Sequence, residues 1–194
     1  IPVDIGMDPG VVAPAVVFSQ HLPYCHKHGV KDCLHVLDEI VVDDTPLVKM
    51  LALIADKMAR RGWKKNRVFL DPFGGNSRDQ VYGLKVSEVL ETAGFDVVFS
   101  YDPVETNILN GIESVRSRLF NVDGQRRLFI DTALKQNATS SRNLTRAFAG
   151  YRWPERKTGQ AAKNNPVHDE TSHVMDALRY TVVNLFSAGG VKIL

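Results

Sequence analysis

The chain has 194 residues, of which 44% are hydrophobic, and its 24 basic and 22 acidic residues leave a net charge of +2. This length suits one domain with a sizeable core rather than two. No apolar run approaches the ~20 residues of a membrane span, and no basic-then-apolar leader opens the chain. We therefore expect a single intracellular domain over residues 1–194 without a membrane partner. Because the sequence opens on Ile1, we also expect it to be excised from a longer chain.

The first third of the chain has the composition of three strands. Pro2–Met7 is a short apolar run that ends in an Asp-Pro-Gly turn, and Val11–Ser19 and Cys33–Val42 are two further apolar runs. The tight link between the first two runs is typical of antiparallel neighbours, and the third run follows a His-rich loop and would extend the hairpin. We therefore predict an antiparallel meander, followed by a helix that begins near Pro46 and carries an apolar stripe.

The rest of the chain alternates between strand and helix patterns. Strands are predicted at Arg67–Leu70, Asp96–Ser100 and Leu128–Ile130, and helices from Ser77 to Ala93, Thr106 to Leu119, Asn143 to Ala149 and Ser172 to Phe186. Such alternation indicates parallel strands joined by helical crossovers. A meander, then this alternation, then a closing helix is the order expected of an RNase H-like α/β domain. Its mixed sheet, an antiparallel meander followed by parallel strands, is flanked by helices.

Basic residues cluster before the fourth strand and in an aperiodic loop from Gly150 to Val167. Such clusters are usually solvated surface, but Lys and Arg are also the residues that contact a phosphate backbone. We predict that the loop residues bind DNA and that the cluster before the strand contributes secondarily. The residues concerned are Arg152, Arg156, Lys157 and Lys163 in the loop, and Lys64 and Lys65 before the strand.

Both cysteines and four of the six histidines lie within one fifteen-residue segment. They are His21, Cys25, His26, His28, Cys33 and His35. Zinc takes about four N or S ligands, but the segment has no C-x2-C or H-x3-H pair of the usual kind. Because a polar hairpin tip explains the segment without a metal, we do not expect a structural zinc there.

Three aspartates occupy positions that could converge at one edge of the sheet. Asp8 ends the first strand, Asp71 ends a later buried strand, and Asp176 lies inside the closing helix. Phosphodiester cleavage by two divalent ions needs hard oxygen ligands that hold the ions about 4 Å apart. Asp8 and Asp71 also have a purely structural interpretation, because each precedes proline in a turn-like sequence.

Asp176 is harder to explain as a structural residue. A carboxylate within an apolar helix must face solvent or lose its hydration. His173 and Asp169 lie three and seven residues earlier, so we expect all three on one helical face, where an ion would satisfy them.

Several segments together resemble the nuclease domain of the large terminase subunit of tailed bacteriophages. Each motif is short, and the resemblance rests on their order and spacing from Ile5 to about Tyr180. The matching segments are Ile5–Gly10, Phe69–Gly75, Gly111 with Ile112, Tyr151–Trp153 and His173–Tyr180.

The resemblance implies an RNase H-like endonuclease that uses two Mg²⁺ or Mn²⁺ ions to cut concatemeric double-stranded viral DNA during headful packaging. It implies that Asp8, Asp71 and Asp176 are the catalytic carboxylates and metal ligands. His173 would be a further ligand or a hydrogen-bond partner, and Asp169 is a reserve ligand.

The same resemblance implies partners and a place of action. The expected partners are double-stranded DNA, a packaging ATPase domain N-terminal to this one in the same subunit, the small terminase subunit and the portal ring. They would meet in the cytoplasm of an infected host cell. Because no G-x4-G-K-[ST] phosphate loop occurs in the sequence, we expect no ATP site in this chain.

Three other classes of protein stay open at this point. A Holliday-junction resolvase of the same superfold would place acidic residues at similar strand positions. A nucleotide-binding domain of the actin or sugar-kinase superfold would share Asp4-Ile-Gly6, but it also needs glycine-rich phosphate turns that this sequence lacks. A DNA-binding module without catalysis would bind DNA through the basic loop alone.

Overall fold

In a computed structural model, the chain is described over residues 1–10, 14–79, 83–100, 102–137, 142–154 and 165–186. The strands found there are β1 Pro2–Asp8, β2 Ala15–Cys25, β3 Val30–Val41, β4 Lys64–Phe69, β5 Asp96–Val98 and β6 Leu128–Ile130. The helices are α1 Leu47–Arg61, α2 Pro72–Asn76, α3 Val86–Thr92, α4 Pro103–Thr106, α5 Ile108–Leu119, α6 Thr132–Asn137, α7 Leu144–Gly150 and α8 Ser172–Phe186. None of these helices has the length and apolar character needed to cross a bilayer.

The strands form one mixed sheet in the order β5-β4-β1-β2-β3-β6. The first three strands are antiparallel neighbours. β4 is parallel to β1, β5 to β4, and β6 to β3. This arrangement confirms the predicted meander and the parallel strands that follow it.

Both faces of the sheet are buried, because successive side chains of a strand point to opposite sides. On β2, Val16 and Phe18 pack into a core with α1 and α3. Ala15 and Val17 pack on the other side, into a core that contains α7 and α8. The sheet therefore lies between two helical layers, and its apolar runs are nearly continuous for that reason.

α8 lies against β1 with no room for a side chain between them. A Cβ added to Gly6 would be 2.1 Å from the main-chain oxygen of Ala177 and 2.1 Å from Thr181 Oγ1. The Thr181 hydroxyl donates to that same oxygen at 3.2 Å. This close approach fixes where the N-terminal turns of α8 meet the end of β1.

Some predicted element boundaries were wrong. Ser77 does not begin a helix: it ends α2, and α3 starts only at Val86. The second strand extends to Cys25, six residues beyond its predicted end. Residues 11–13, where that strand was predicted to start, lie outside the described ranges. α6 follows β6 directly and was not predicted.

Candidate active site

Asp8 and Asp71 lie at the same end of neighbouring parallel strands. Asp8 is the last residue of β1, and Asp71 follows β4 by two residues. The register pairs Gly6 with Phe69, and continuing it by two residues along each chain sets Asp71 opposite Asp8. Parallel strands lie about 4.8 Å apart, which brings the two backbones close together. The contact extends beyond the strands, because a Cβ on Gly74 would meet Pro9 Cγ at 3.1 Å.

The Asp71 carboxylate is oriented by the start of α2. Its Oδ1 accepts the Phe73 N–H at 2.9 Å, and its Oδ2 accepts the Gly74 N–H at 2.9 Å. Pro72 occupies the first helical position, where a missing N–H costs nothing. A carboxylate has about four lone-pair sites, so the cap leaves acceptor capacity for an ion.

His173 joins α8 to the end of β1. Its Nδ1 lies 2.9 Å from Asp8 Oδ2, and both side chains are less than one-fifth exposed. Asp8 Oδ1 also accepts the Gly10 N–H at 3.3 Å. The hydrogen bond to Asp8 raises the pKa of His173, and the negative charges of Asp8, Asp176 and Asp169 act in the same direction. While no cation is bound to Asp8, the ring therefore keeps its proton to a higher pH than a free imidazole does.

Asp176 lies one helical turn beyond His173 and is mostly buried. Its Oδ1 accepts from Arg179 Nε at 3.1 Å and from Nη2 at 3.0 Å. Burial raises the pKa of Asp176 and the charge of Asp8 adds to this effect, whereas Arg179 lowers it. Arg179 therefore only partly offsets the cost of the buried charge, and a bound cation would offset more of it.

Tyr180 lies within the electrostatic reach of all three aspartates. Burial is the main cause that raises the pKa of Tyr180, and the charges of Asp176, Asp8 and Asp71 raise it further. Tyr180 and Arg179 also line a cavity of about 220 Å³ that Asp71 borders. Burial and the charge of Asp176 likewise raise the pKa of Tyr151 to about 12. The three carboxylates thus act on one region of the molecule.

The residues present fit a hard divalent cation, because carboxylate oxygens are the donors that Mg²⁺ and Mn²⁺ prefer. The carboxylates do not close around a single point, however. Among the described residues, one trio of His, Cys, Asp or Glu side chains has ligand atoms within 4.8 Å of one another. That trio lies elsewhere in the sheet. The acidic site is therefore an open set of oxygens rather than a closed cage.

Asp169 was predicted to share a helical face with His173 and Asp176, and this prediction was wrong. α8 begins only at Ser172, and Asp169 belongs to the turn before it. Its Oδ1 accepts from the Thr171 N–H at 2.9 Å and from the Thr171 hydroxyl at 2.7 Å. Its Oδ2 lies 3.1 Å from Arg152 Nη1. Asp169 thus stabilises the turn before α8. Its negative charge affects the site by raising the pKa of His173.

The predicted DNA-binding residues do not all lie near the acidic site. Arg152 pairs with Asp169, which lies close to the acidic site, and the Arg152 side chain is 64% exposed. Arg156, Lys157 and Lys163 lie outside the described residues. Lys64 and Lys65 begin β4 and so lie at the opposite end of that strand from Asp71. Lys65 Nζ donates to the Ala93 carbonyl at 2.6 Å. DNA contact by these residues stays a prediction, and the position of Lys64 and Lys65 separates them from the carboxylates.

Sequence reasoning missed Arg179, Tyr180 and Tyr151 as parts of the site. A signal for Arg179 was present, because a position three residues after Asp176 on a helix is within reach of its carboxylate. Gly111 lies in one of the segments that carry the resemblance. A Cβ there would lie 2.6 Å from Arg179 Cδ, so this glycine makes room for the arginine that holds Asp176.

The His173–Asp8 pair predicts a pH-dependent stability in the metal-free chain. His173 has a folded pKa above its unfolded value of about 6.5, so the pair stabilises the fold fully below that pH and loses its effect as the pH rises through the folded pKa. With a chelator present, the stability difference between the wild type and His173→Gln should be larger near pH 6 than near pH 9. Urea unfolding at the two pH values measures this difference. An equal difference at both would contradict a protonated His173.

No protein-family model and no curated protein matches this sequence. Among solved structures, the chain is similar to the large terminase nuclease domain of P22, with a TM-score of 0.53 and 15% identity over 94% of this chain and 78% of that one. The Mn-bound large terminase nuclease domain of bacteriophage SPP1 matches with a TM-score of 0.47 and 15% identity over 93% and 84%. Thermus thermophilus RuvC matches with a TM-score of 0.43 and 16% identity over 97% and 98%.

The P22 similarity confirms the fold predicted from the order of elements. The chain is an RNase H-like domain with a mixed sheet and flanking helices. At this level of identity the similarity concerns the fold. The P22 structure is a large terminase nuclease domain, the class that the sequence motifs resemble.

Proposed function

We propose that the chain is a metal-dependent endonuclease that cleaves double-stranded DNA, of the kind represented by the large terminase nuclease domains. One observation carries this proposal. Asp8 ends β1 level with Asp71, and it is tied to α8 by a 2.9 Å contact with His173, one turn before Asp176. Three carboxylates thus lie at the same end of the sheet, in a fold shared with the P22 nuclease domain.

In this proposal Asp8, Asp71 and Asp176 hold Mg²⁺ or Mn²⁺, and two ions suit their open arrangement. Such ions polarise a phosphoryl oxygen and make a bound water more acidic. The rest of the site orients the ligands. The α2 N–H groups direct Asp71, Arg179 directs Asp176, and His173 directs Asp8. Removing such orienting partners costs about 10- to 100-fold in metal affinity or activity.

The proposed substrate is concatemeric viral DNA, cut during headful packaging. The proposed partners are those of a packaging motor: a packaging ATPase domain, the small terminase subunit and the portal ring. ATP hydrolysis is assigned to another domain, because the sequence contains no phosphate loop. The side chain of Arg152 is largely exposed and pairs with Asp169, which supports a proposed contact between this guanidinium and the phosphate backbone.

The proposal is tested by incubating supercoiled plasmid with the purified chain in Mn²⁺, in Mg²⁺ and in a chelator. We expect nicked and linear products with a metal and none with the chelator. A metal-dependent rise in the melting temperature gives a second readout, because an ion that binds only the folded state stabilises it. The proposal would be overturned if neither ion produced cleavage and neither ion raised the melting temperature. A strong preference for a synthetic four-way junction over a linear duplex would instead support the resolvase alternative.

A further inference from the structure

The two cysteines and His35 lie together at the end of the sheet remote from the acidic site. Cys25 ends β2, whereas Ala15 begins that strand and pairs with Asp8. Ten residues of extended chain span about 30 Å. The cluster therefore belongs to the tip of the β2–β3 hairpin, and nothing assigned to the carboxylates involves it.

The ligand atoms of this cluster are close enough for one ion. Cys25 Sγ lies 3.4 Å from His35 Nε2, and one atom from each of Cys25, Cys33 and His35 lies within 4.8 Å of the other two. In a tetrahedral zinc site, bonds of 2.3 Å to sulfur and about 2.0 Å to nitrogen place ligand atoms roughly 3.5 to 3.8 Å apart. Only small side-chain movements would bring the observed positions of Cys25, Cys33 and His35 to the spacing of a zinc site.

His28 stands beside the cluster on the hairpin turn. Its ring centroid lies 5.8 Å from that of His35, and its ring stacks on Phe129 at 3.8 Å. The turn is closed by the His28 and Gly29 N–H groups, which donate to the Cys25 carbonyl at 3.2 and 2.8 Å. Cys25 and His28 thus form a tight C-x2-H turn, and Cys33 and His35 return on β3 opposite to it.

We propose that Cys25, Cys33 and His35 bind one zinc ion at the tip of the β2–β3 hairpin, with His28 as the fourth ligand. The spacing along the chain argued against zinc, but the antiparallel pairing brings the returning strand alongside Cys25. Two sulfurs and two imidazoles select zinc over Mg²⁺ and Mn²⁺. The ion would fix the hairpin tip against Phe129 of β6.

The chemical state of these side chains agrees with the proposal. Burial lowers the pKa of His35, with help from the charges of His28 and Lys27, so the ring is neutral and able to ligate. Burial and the neighbouring Cys25 raise the pKa of Cys33 to about 11, so without a metal this thiol keeps its proton. A coordinating metal deprotonates a thiol outright, and zinc binding would therefore release protons.

The test uses the full chain purified without chelator, with its zinc content measured by mass spectrometry and the zinc then exchanged for Co²⁺. We expect one equivalent of zinc, and with Co²⁺ the intense visible bands and thiolate charge-transfer band of a tetrahedral site. Cys25→Ser and Cys33→Ser should abolish both signals, and His28→Ala should weaken binding. His26→Ala is the matched control, because His26 lies on the same turn against Tyr24 and outside the cluster.

Some outcomes would overturn the zinc proposal. One is a wild-type chain with two titratable thiols that gives no cobalt spectrum. Another is a disulfide between Cys25 and Cys33, seen as thiols that appear only after reduction. If a cysteine variant does not fold, His35→Gln serves instead, since it keeps both sulfurs and should still lose tetrahedral binding. Plasmid cleavage in Mn²⁺ is measured separately, so failure of the zinc site and failure of the nuclease are distinguishable.

Discussion

Asp8→Asn should reduce metal-dependent plasmid cleavage by about a thousandfold, because bound ions supply several kcal/mol of transition-state stabilisation. Asparagine keeps the size of the side chain but removes the negative charge that attracts the cation. Asp8 also contacts His173 directly, so its loss affects both β1 and α8. Initial rates of nicking in Mn²⁺ measure the effect. The rise in melting temperature on adding Mn²⁺ should fall with the rate.

Asp56→Asn is the control for this change. Asp56 lies on α1, is more than half exposed and pairs with Arg60 on the same helix. Exposed ion pairs of this kind contribute about 1 kcal/mol or less, so this variant should cleave like the wild type. If Asp8→Asn retained full activity with a normal Mn²⁺ response, Asp8 would not be a metal ligand. A metal site at the end of β1 would then be excluded.

The sequence points to the carboxylates of the candidate site more directly than to their surroundings. Asp8, Asp71 and Asp176 are candidates because strand ends and a closing helix are visible as patterns of apolar residues. One orienting partner, His173 beside Asp8, depends on a contact across the fold, whereas Asp71 and Asp176 are oriented by groups two or three residues away in the sequence. Asp8 and His173 are 165 positions apart, and no local pattern links them.

Element boundaries failed where a local cap overrode the apparent start of a helix. Ser77 was predicted to begin a helix, but Asp71 already caps a short helix that runs from Pro72 to Asn76, and Ser77 is the C-cap of that helix. The chain then makes a bridge between Arg78 and Lys85 before α3 begins. Asp169 was misplaced for a similar reason: the spacing of Asp169, His173 and Asp176 is helical, but the helix starts after Asp169.

The hairpin cluster shows a different limit of sequence reasoning. Zinc motifs are recognised when ligands come in short pairs on one segment. Here Cys33 and His35 reach Cys25 through pairing of β2 with β3, which joins Cys25 to Val30 and Leu22 to Cys33. Asp32 adopts a left-handed backbone conformation between these positions, with φ of 56°. Spacing along the chain could not reveal a cluster that depends on strand register and a local kink.

Gly6→Ala should be among the most destabilising single substitutions in the chain. Its Cβ would lie 2.1 Å from the Ala177 carbonyl oxygen, which is backbone and cannot rotate away, so α8 would have to move off β1. Overpacking typically costs about 1 to 3 kcal/mol, and a clash with a fixed backbone oxygen puts this variant at the upper end, about 3 kcal/mol. For a domain of this size that lowers the melting temperature by roughly 6 to 12 °C. Because α8 carries His173 and Asp176, stabilisation by Mn²⁺ should weaken in the same variant.

Two further variants separate this clash from a general effect of adding a methyl group. At Gly75 the nearest atom to a new Cβ is Phe99 Cε1, at 3.1 Å, and the ring can yield by a few tenths of an ångström. Gly75→Ala should therefore change stability by less than about 1 kcal/mol. Adding Thr181→Ala to Gly6→Ala removes the hydroxyl contact but leaves the carbonyl, so only part of the loss should return. If Gly6→Ala had the same melting temperature as the wild type, α8 would not lie on β1 at this distance. The placement of His173 beside Asp8 would then be wrong as well.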